Sequence, residues 1–296
     1  MTAAKKPPRQ LFRFLRNPSL SLRMMALGLV ITLFYILAAF LAPTLQSWGW
    51  LQSSTDFLSN TPHEAPSTQH WFGTSRQGYD VFSRTVFGSQ AALKVVVVAT
   101  LISLCIGVPL GLLSGYLGGW LDRILLFLMD TIYTLPGLLL SVTVAFVVGR
   151  GILNAALALS IAYIPQYYRV VRNHTVSIKT ELFIEAAQAL GASTWRVLTR
   201  YLFLNVIQSV PVLFTLNAAD AILTLAGLGF LGLGLPEETA EWGHDLRSAL
   251  DGLSTGIWWT TFFPGFAMTL MVVGLSFIGE GLNEYVNPLL RRENWK

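Results

Sequence analysis

The chain has 296 residues, 53% of them hydrophobic and only 12% charged, with 20 Lys and Arg against 16 Asp and Glu. Soluble domains carry about 25% charged residues, and several uncharged runs here reach the ~18–20 residues that cross about 30 Å of hydrocarbon; an ordinary soluble domain is excluded. The basic residues flank apolar runs instead of forming one solvated stripe, which argues against a nucleic-acid partner.

The first 23 residues read as a basic cytoplasmic tail. The span-length apolar run behind them has no small-residue cleavage site, so it reads as a retained signal anchor. A first span is expected at roughly Met24–Ala42, ended by Pro43. Residues 43–93 read as an outer loop carrying "HWFGTSRQGYDVFSRTVFG", punctuated by Gly and Ser and including a short amphipathic part. Residues 94–288 form the transmembrane domain proper. Its five further spans fall at roughly Lys94–Tyr116, Ile124–Val148, Ile152–Tyr168, Tyr201–Phe230 and Ile257–Ile278, the fifth long enough to be tilted or broken. Residues 289–296 are a second tail. The fold class is all-α and polytopic, because a helix satisfies its own backbone in lipid.

Orientation follows from the distribution of Lys and Arg. With the N-terminus inside, 15 of the 20 fall in cytoplasmic segments, while acidic residues cluster outside in "PEETAEWGHD". Both termini are therefore expected in the cytoplasm. In the outer segment Gly234 to Gly256, Trp242, Leu246 and Leu250 make an apolar helical face suited to the membrane surface or to other helices.

The second span carries Gly107, Gly111, Gly115 and Gly119, a four-residue spacing that leaves a groove for close helix packing in lipid. The groove serves a neighbouring span of the same chain, or else a subunit interface or pathway. Asp130 and Asp220 stand in apolar context, where a carboxylate is costly. They are candidates for a pathway or gate, with a structural hydrogen bond or ion pair as the other reading. Pro136, Pro211 and Pro264 favour bends.

Between the fourth and fifth spans lies "KTELFIEAAQALGASTWRVLTR", residues 179–200. Leu182, Phe183, Ala186, Ala187 and Leu190 share one side of a short helix, with Glu181, Glu185 and Gln188 largely opposite. Gly191 is placed for a left-handed C-terminal cap, and Ser193 for the N-cap of the next helix. The paired alanines leave a shallow surface suited to a partner's cleft.

Little points to bond chemistry. No Gly-Lys-Ser/Thr is present for a phosphate loop, the four histidines lack metal-ligand spacing, and no Gly-x-Ser-x-Gly elbow occurs. The single cysteine, Cys105, sits in an apolar run, which leaves no intramolecular disulfide and no thiolate cluster. No catalytic or metal-binding residue is expected.

The chain resembles the permease subunits of bacterial ABC importers, in the second-permease class of the dipeptide, oligopeptide and nickel group. Glu185-Ala186-Ala187 with Gly191 is similar to that family's Glu-Ala-Ala loop; "FGTSRQGYDVFSR", "GLGFLGLGLPEETAEWG", "FPGFAMTL" and "GEGLNEYVNP" follow its other segments in order. Tyr201 and Leu204 stand where the family has His and Pro, Ser75 and Tyr79 depart from its Asp and Arg, and Leu225 and Gly229 replace a Glu and a Ser. The resemblance implies a type I ABC importer permease fold in the bacterial inner membrane. It also implies a sister permease, two cytoplasmic ATP-binding subunits that hold ATP and Mg, and an external solute-binding protein. The expected solute is a peptide. Glu181, Phe183, Glu185, Ala186, Ala187, Leu190 and Gly191 would then form the ATPase-coupling element. The alternative is a stand-alone secondary transporter or channel using Asp130 or Asp220.

Overall fold

A computed structural model describes residues 20–286, so the expected tails lie outside the described residues except for 20–23, which already belong to a helix. The described residues form helices and connecting loops, with one isolated backbone bridge between Thr74 and Asp80. Helix α1 is Leu20–Ser47, α2 Val81–Leu117, α3 Gly119–Tyr133, α4 Gly137–Val148 and α5 Ile152–Ile178. A short α6, Leu182–Ala189, precedes α7, the helical run Thr194–Phe230; α8 is Trp242–Leu253 and α9 Trp259–Val286.

By length and composition α1, α2, α7 and α9 can cross a membrane, and a fifth span arises if α3 and α4 count as one. The expected straight third span is instead this pair, bent by 90° where Pro136 interrupts the helix. Helix α5 has 27 residues, enough to span, but carries Asn154, Arg169, Arg172 and His174.

Two boundaries differ from expectation. Pro43 does not end α1, which runs on to Ser47. Proline removes the N–H that would bond the carbonyl four residues back, and here the Ala39 carbonyl accepts from Gln90 Nε2 at 3.1 Å instead. Helix α2 starts at Val81, so the amphipathic part of the expected 43–93 loop is its first turns. Asp80 caps it, its carboxylate accepting from the Ser83 N–H at 2.8 Å and the Ser83 hydroxyl at 2.6 Å.

Lipid gives no hydrophobic drive for helix association, so close packing and hydrogen bonds must hold the bundle. Helix α2 packs along α5 for most of its length, α1 lies on α9, and α7 packs on α9. The glycine groove seats α5: a Cβ at Gly107 would stand 2.6 Å from the Tyr167 Cβ, and one at Gly111 2.7 Å from the Tyr168 carbonyl oxygen. A Cβ at Gly115 would stand 2.8 Å from the Arg172 carbonyl oxygen. Gly119 is not part of the groove. It is the first residue of α3, with φ +64° and nothing within 4 Å of a Cβ.

The end read from charge as the outer one carries a cap made of residues 48–80 and α8. The Trp242 indole donates to the Thr85 carbonyl at 3.0 Å and the Trp259 indole to the Thr74 carbonyl at 3.2 Å. Phe72 stacks on Phe263 with ring centroids 3.8 Å apart. Arg84 is buried and donates from Nε and NH2 to Asp245 at 2.9 and 2.7 Å, while Tyr79, a departure from the family pattern, lies under its guanidinium at 4.4 Å. Of the face expected on α8, Trp242 is buried but Leu250 is exposed. Trp242, Gly243, Ala249 and Gly252 make the packed side.

Candidate coupling helix and pathway face

Helix α6 projects from the end opposite the cap. Glu181 has extended backbone at its N-cap, and Gly191 takes φ +82° just beyond its last turn, as a left-handed C-terminal cap requires. A Cβ at Gly191 would meet nothing within 4 Å, so the position faces open space. Ser193 then accepts from the Arg196 N–H at 3.4 Å and starts α7.

The two sides of α6 divide differently from the expected pattern. Ile184 and Ala187, spaced i, i+3, turn inward and are buried, so Ala187 lies beneath the helix instead of on its open face. Ile184 is the inward anchor that the apolar pattern missed. Leu182, Phe183, Ala186 and Leu190 are exposed, with Glu181, Glu185 and Gln188 also open. Leu182 is 80% and Leu190 89% exposed.

A polar network ties α6 to the bundle. Gln188 Nε2 donates to the Tyr116 hydroxyl at 3.1 Å, and Lys179 Nζ donates to the Gly115 carbonyl at 2.8 Å. Arg172 on α5 donates from NH2 to Asp122 Oδ2 at 2.6 Å and from Nε to Oδ1 at 3.0 Å. Ser114 on α2 donates to the same Asp122 and hydrogen-bonds the Tyr168 hydroxyl at 2.7 Å. These bonds lock α2, α3 and α5 together at their shared end. The Asp122–Arg172 pair was not legible in the sequence, though the i, i+3 spacing of Arg169 and Arg172 places both guanidinia on one side of α5.

The two intramembrane carboxylates are not brought together. Asp130 accepts from Arg169 Nε at 3.0 Å and NH2 at 2.7 Å, and Arg169 stacks over the Tyr133 ring at 4.1 Å. This is the ion-pair reading of Asp130. Asp220 lies on an exposed face of α7 and accepts from the Tyr163 hydroxyl at 2.8 Å, with Thr224 Oγ1 3.3 Å from that hydroxyl. Tyr167 and Asn217 stand between the same helices one turn further from the cap, buried and without good hydrogen-bond geometry to one another.

Residues 107–292 match the family described as the inner membrane component of binding-protein-dependent transport systems. A dipeptide transport system permease protein of Alkalihalophilus pseudofirmus is 34% identical over 288 residues, covering 97% of this chain and 92% of that protein. Glutathione transport system permease proteins of Pectobacterium atrosepticum and Escherichia coli are each 35% identical over 229 residues, covering 77% of this chain and 76% and 75% of theirs.

Proposed function

The chain belongs to the family of binding-protein-dependent transport inner-membrane components, and on that footing we propose how it works within a complete importer. It is a multi-pass permease subunit of the ABC importer group that handles peptides, a transport component and not an enzyme. In the proposed assembly it crosses the membrane six times with both termini inside and forms half of a translocation path with a sister permease. Two cytoplasmic ATP-binding subunits hold ATP and Mg, and an external binding protein delivers the solute. A small peptide is the proposed solute, in keeping with the dipeptide and glutathione permeases it resembles.

The observation that carries the coupling role is the exposed apolar surface of α6, where Leu182, Phe183 and Leu190 stand out from a helix held to the bundle by Gln188 and the buried Ile184. Glu181, Glu185, Ala186 and the Gly191 turn complete the surface that seats in an ATPase groove, with Ala187 and Ile184 supporting it from below. ATP binding closes the ATPase pair and draws the two coupling helices together. The spans then exchange inward- for outward-facing packing, and hydrolysis returns them. The motor has only to favour one packing over the other by a few kcal/mol.

The test is a mild-detergent pull-down of the tagged chain with mass spectrometry of its partners, on wild type and Gly191→Trp. Wild type is expected to bring a second permease and an ATPase. A Cβ at Gly191 meets nothing within 4 Å, and the left-handed backbone that Gly191→Trp strains belongs to the turn after α6 and not to a span, so the spans should fold while ATPase recovery and transport fall at least tenfold. Normal transport by the variant would refute the coupling role, and recovery of wild-type chain alone would point to a transporter without a motor, working through Asp130 or Asp220.

A further inference from the structure

We propose that Asp220 is a cation-accepting site on the solute path, and that the group it takes is a protonated amine of the solute. The inference rests on reading this chain as one wall of that path. Helix α7 exposes a narrow stripe of Leu216, Asp220, Leu223 and Phe230, all within one helical face, while Asn217, Ala218, Ala219, Ala221 and Ile222 beside it are buried in the chain. A carboxylate against acyl chains is costly, and intramembrane acids accordingly face water or a partner. The stripe therefore looks onto an aqueous path or another subunit.

The charge balance of the chain narrows the choice. Asp122 and Asp130, both on α3, each meet a guanidinium, at 2.6 and 2.7 Å, and Glu185 stands on the exposed surface of α6 outside the bundle. Asp220 meets no guanidinium among the described residues. Its Oδ2 accepts from the Tyr163 hydroxyl, and its Oδ1 is engaged by no group of the described chain. Tyr163 is itself buried, so the carboxylate is held in place by a fixed donor. Leu216 and Leu223 flank it and lower the local dielectric, which strengthens its attraction for a positive charge. No cation among the described residues compensates it, and the proposal takes the compensating charge from the path. A single free carboxylate oxygen suits a compact ammonium better than the two-pronged fork of a guanidinium, and every small peptide with a free amino terminus brings one.

The test uses the whole transporter in its membrane, with Cys105→Ser to remove the native thiol and Leu223→Cys to place one beside the carboxylate. Labelling rates are compared for trimethylammonium-ethyl and sulfonatoethyl methanethiosulfonate, each normalised to its rate with free thiol; Leu216→Cys repeats the measurement on the other flank. The cationic reagent is expected to react about tenfold faster, the order a nearby unit charge produces at a part-hydrated site. Asp220→Asn should abolish the preference and Asp220→Glu should keep it. Equal rates, as a basic side chain of the sister permease paired to Asp220 would give, overturn the proposal. So does a preference that survives Asp220→Asn, or no reaction at either flank. If the ATPase still co-purifies in such a case, only the role of Asp220 falls and the importer reading stands.

Discussion

Glu241 is a carboxylate almost wholly withdrawn from water, in the cap and outside the spans. It serves as the N-cap of α8, accepting from the Gly243 N–H at 2.8 Å and the His244 N–H at 3.0 Å. Its neighbour across the packing is Gly229, where any Cβ would overlap the carboxyl group. The glycine that stands for the family's serine thus makes room for this acid. Burial pushes the Glu241 carboxyl up to about 8 from 4.5; Asp245 adds to the rise, while the two amide donors and Arg84 oppose it. His244 beside it is held below the usual imidazole value, mainly by burial. Because the folded cap keeps a proton that the opened segment releases, Glu241 contributes stability that is full below about pH 4.5 and is lost as pH rises to about 8. Amide hydrogen exchange across Trp242–Leu253, corrected for intrinsic rates, should show several-fold more opening at pH 8 than at pH 5. Glu241→Gln should flatten that difference. Exchange that slows with rising pH would mean that the two amide donors hold the carboxylate ionised.

At the level of the helices, polar residues in apolar segments act as long-range repairs. Gln90 on α2 bonds the Ala39 carbonyl that Pro43 leaves open on α1. Gln90→Ala strands that carbonyl and is expected to cost about 1 kcal/mol, read as a fall of about 2–4 °C in Tm in detergent. Gln90→Glu, which keeps the length but loses the donor, should do no better, and an unchanged Tm in both would show the bond to be idle. The same feature sets what the sequence could tell. Pro43 read as a stop because the residue that repairs it is 47 positions away. Ser83, Arg84 and Gln90 read as loop because they are polar, yet they sit in α2 and bond to the cap or to α1. Local relief was easier to see. Pro211 follows a tightened turn, Ile207–Ser209, in which Val210 N–H takes the Ile207 carbonyl that Pro211 cannot, and α7 runs through it as one span. The glycine groove was legible through its four-residue period; Gly119 fits the period but falls past the end of α2. On α6 the stop at Gly191 was legible, but two buried positions, Ile184 and Ala187, are too few to fix a face by periodicity.

Across the whole molecule, a force applied at α6 has to reach the α7 stripe that carries Asp220. Besides the chain itself, which passes from α6 through Ser193 into α7, we propose a route through the locked end of the bundle, where Asp122, Arg172, Ser114, Tyr168 and Lys179 hold α2, α3 and α5 in one arrangement. Asp122 and Arg172 are only partly exposed, with side chains 16% and 23% accessible, so removing one partner leaves the other poorly solvated and is more disruptive than losing a surface pair. Arg172→Ala should therefore loosen α5 against α3 without touching the exposed surface of α6. The ATPase should still co-purify, whereas the acceleration of hydrolysis by loaded binding protein should drop about tenfold. Exchanging the charges, Asp122→Arg with Arg172→Asp, should recover part of that acceleration but not all, because Ser114 donates to Asp122 and cannot donate to an arginine. If Arg172→Ala hydrolyses ATP with full response to the binding protein, the locked end does not carry the signal. The chain's own passage from α6 through Ser193 into α7 would then be the remaining path between motor and solute.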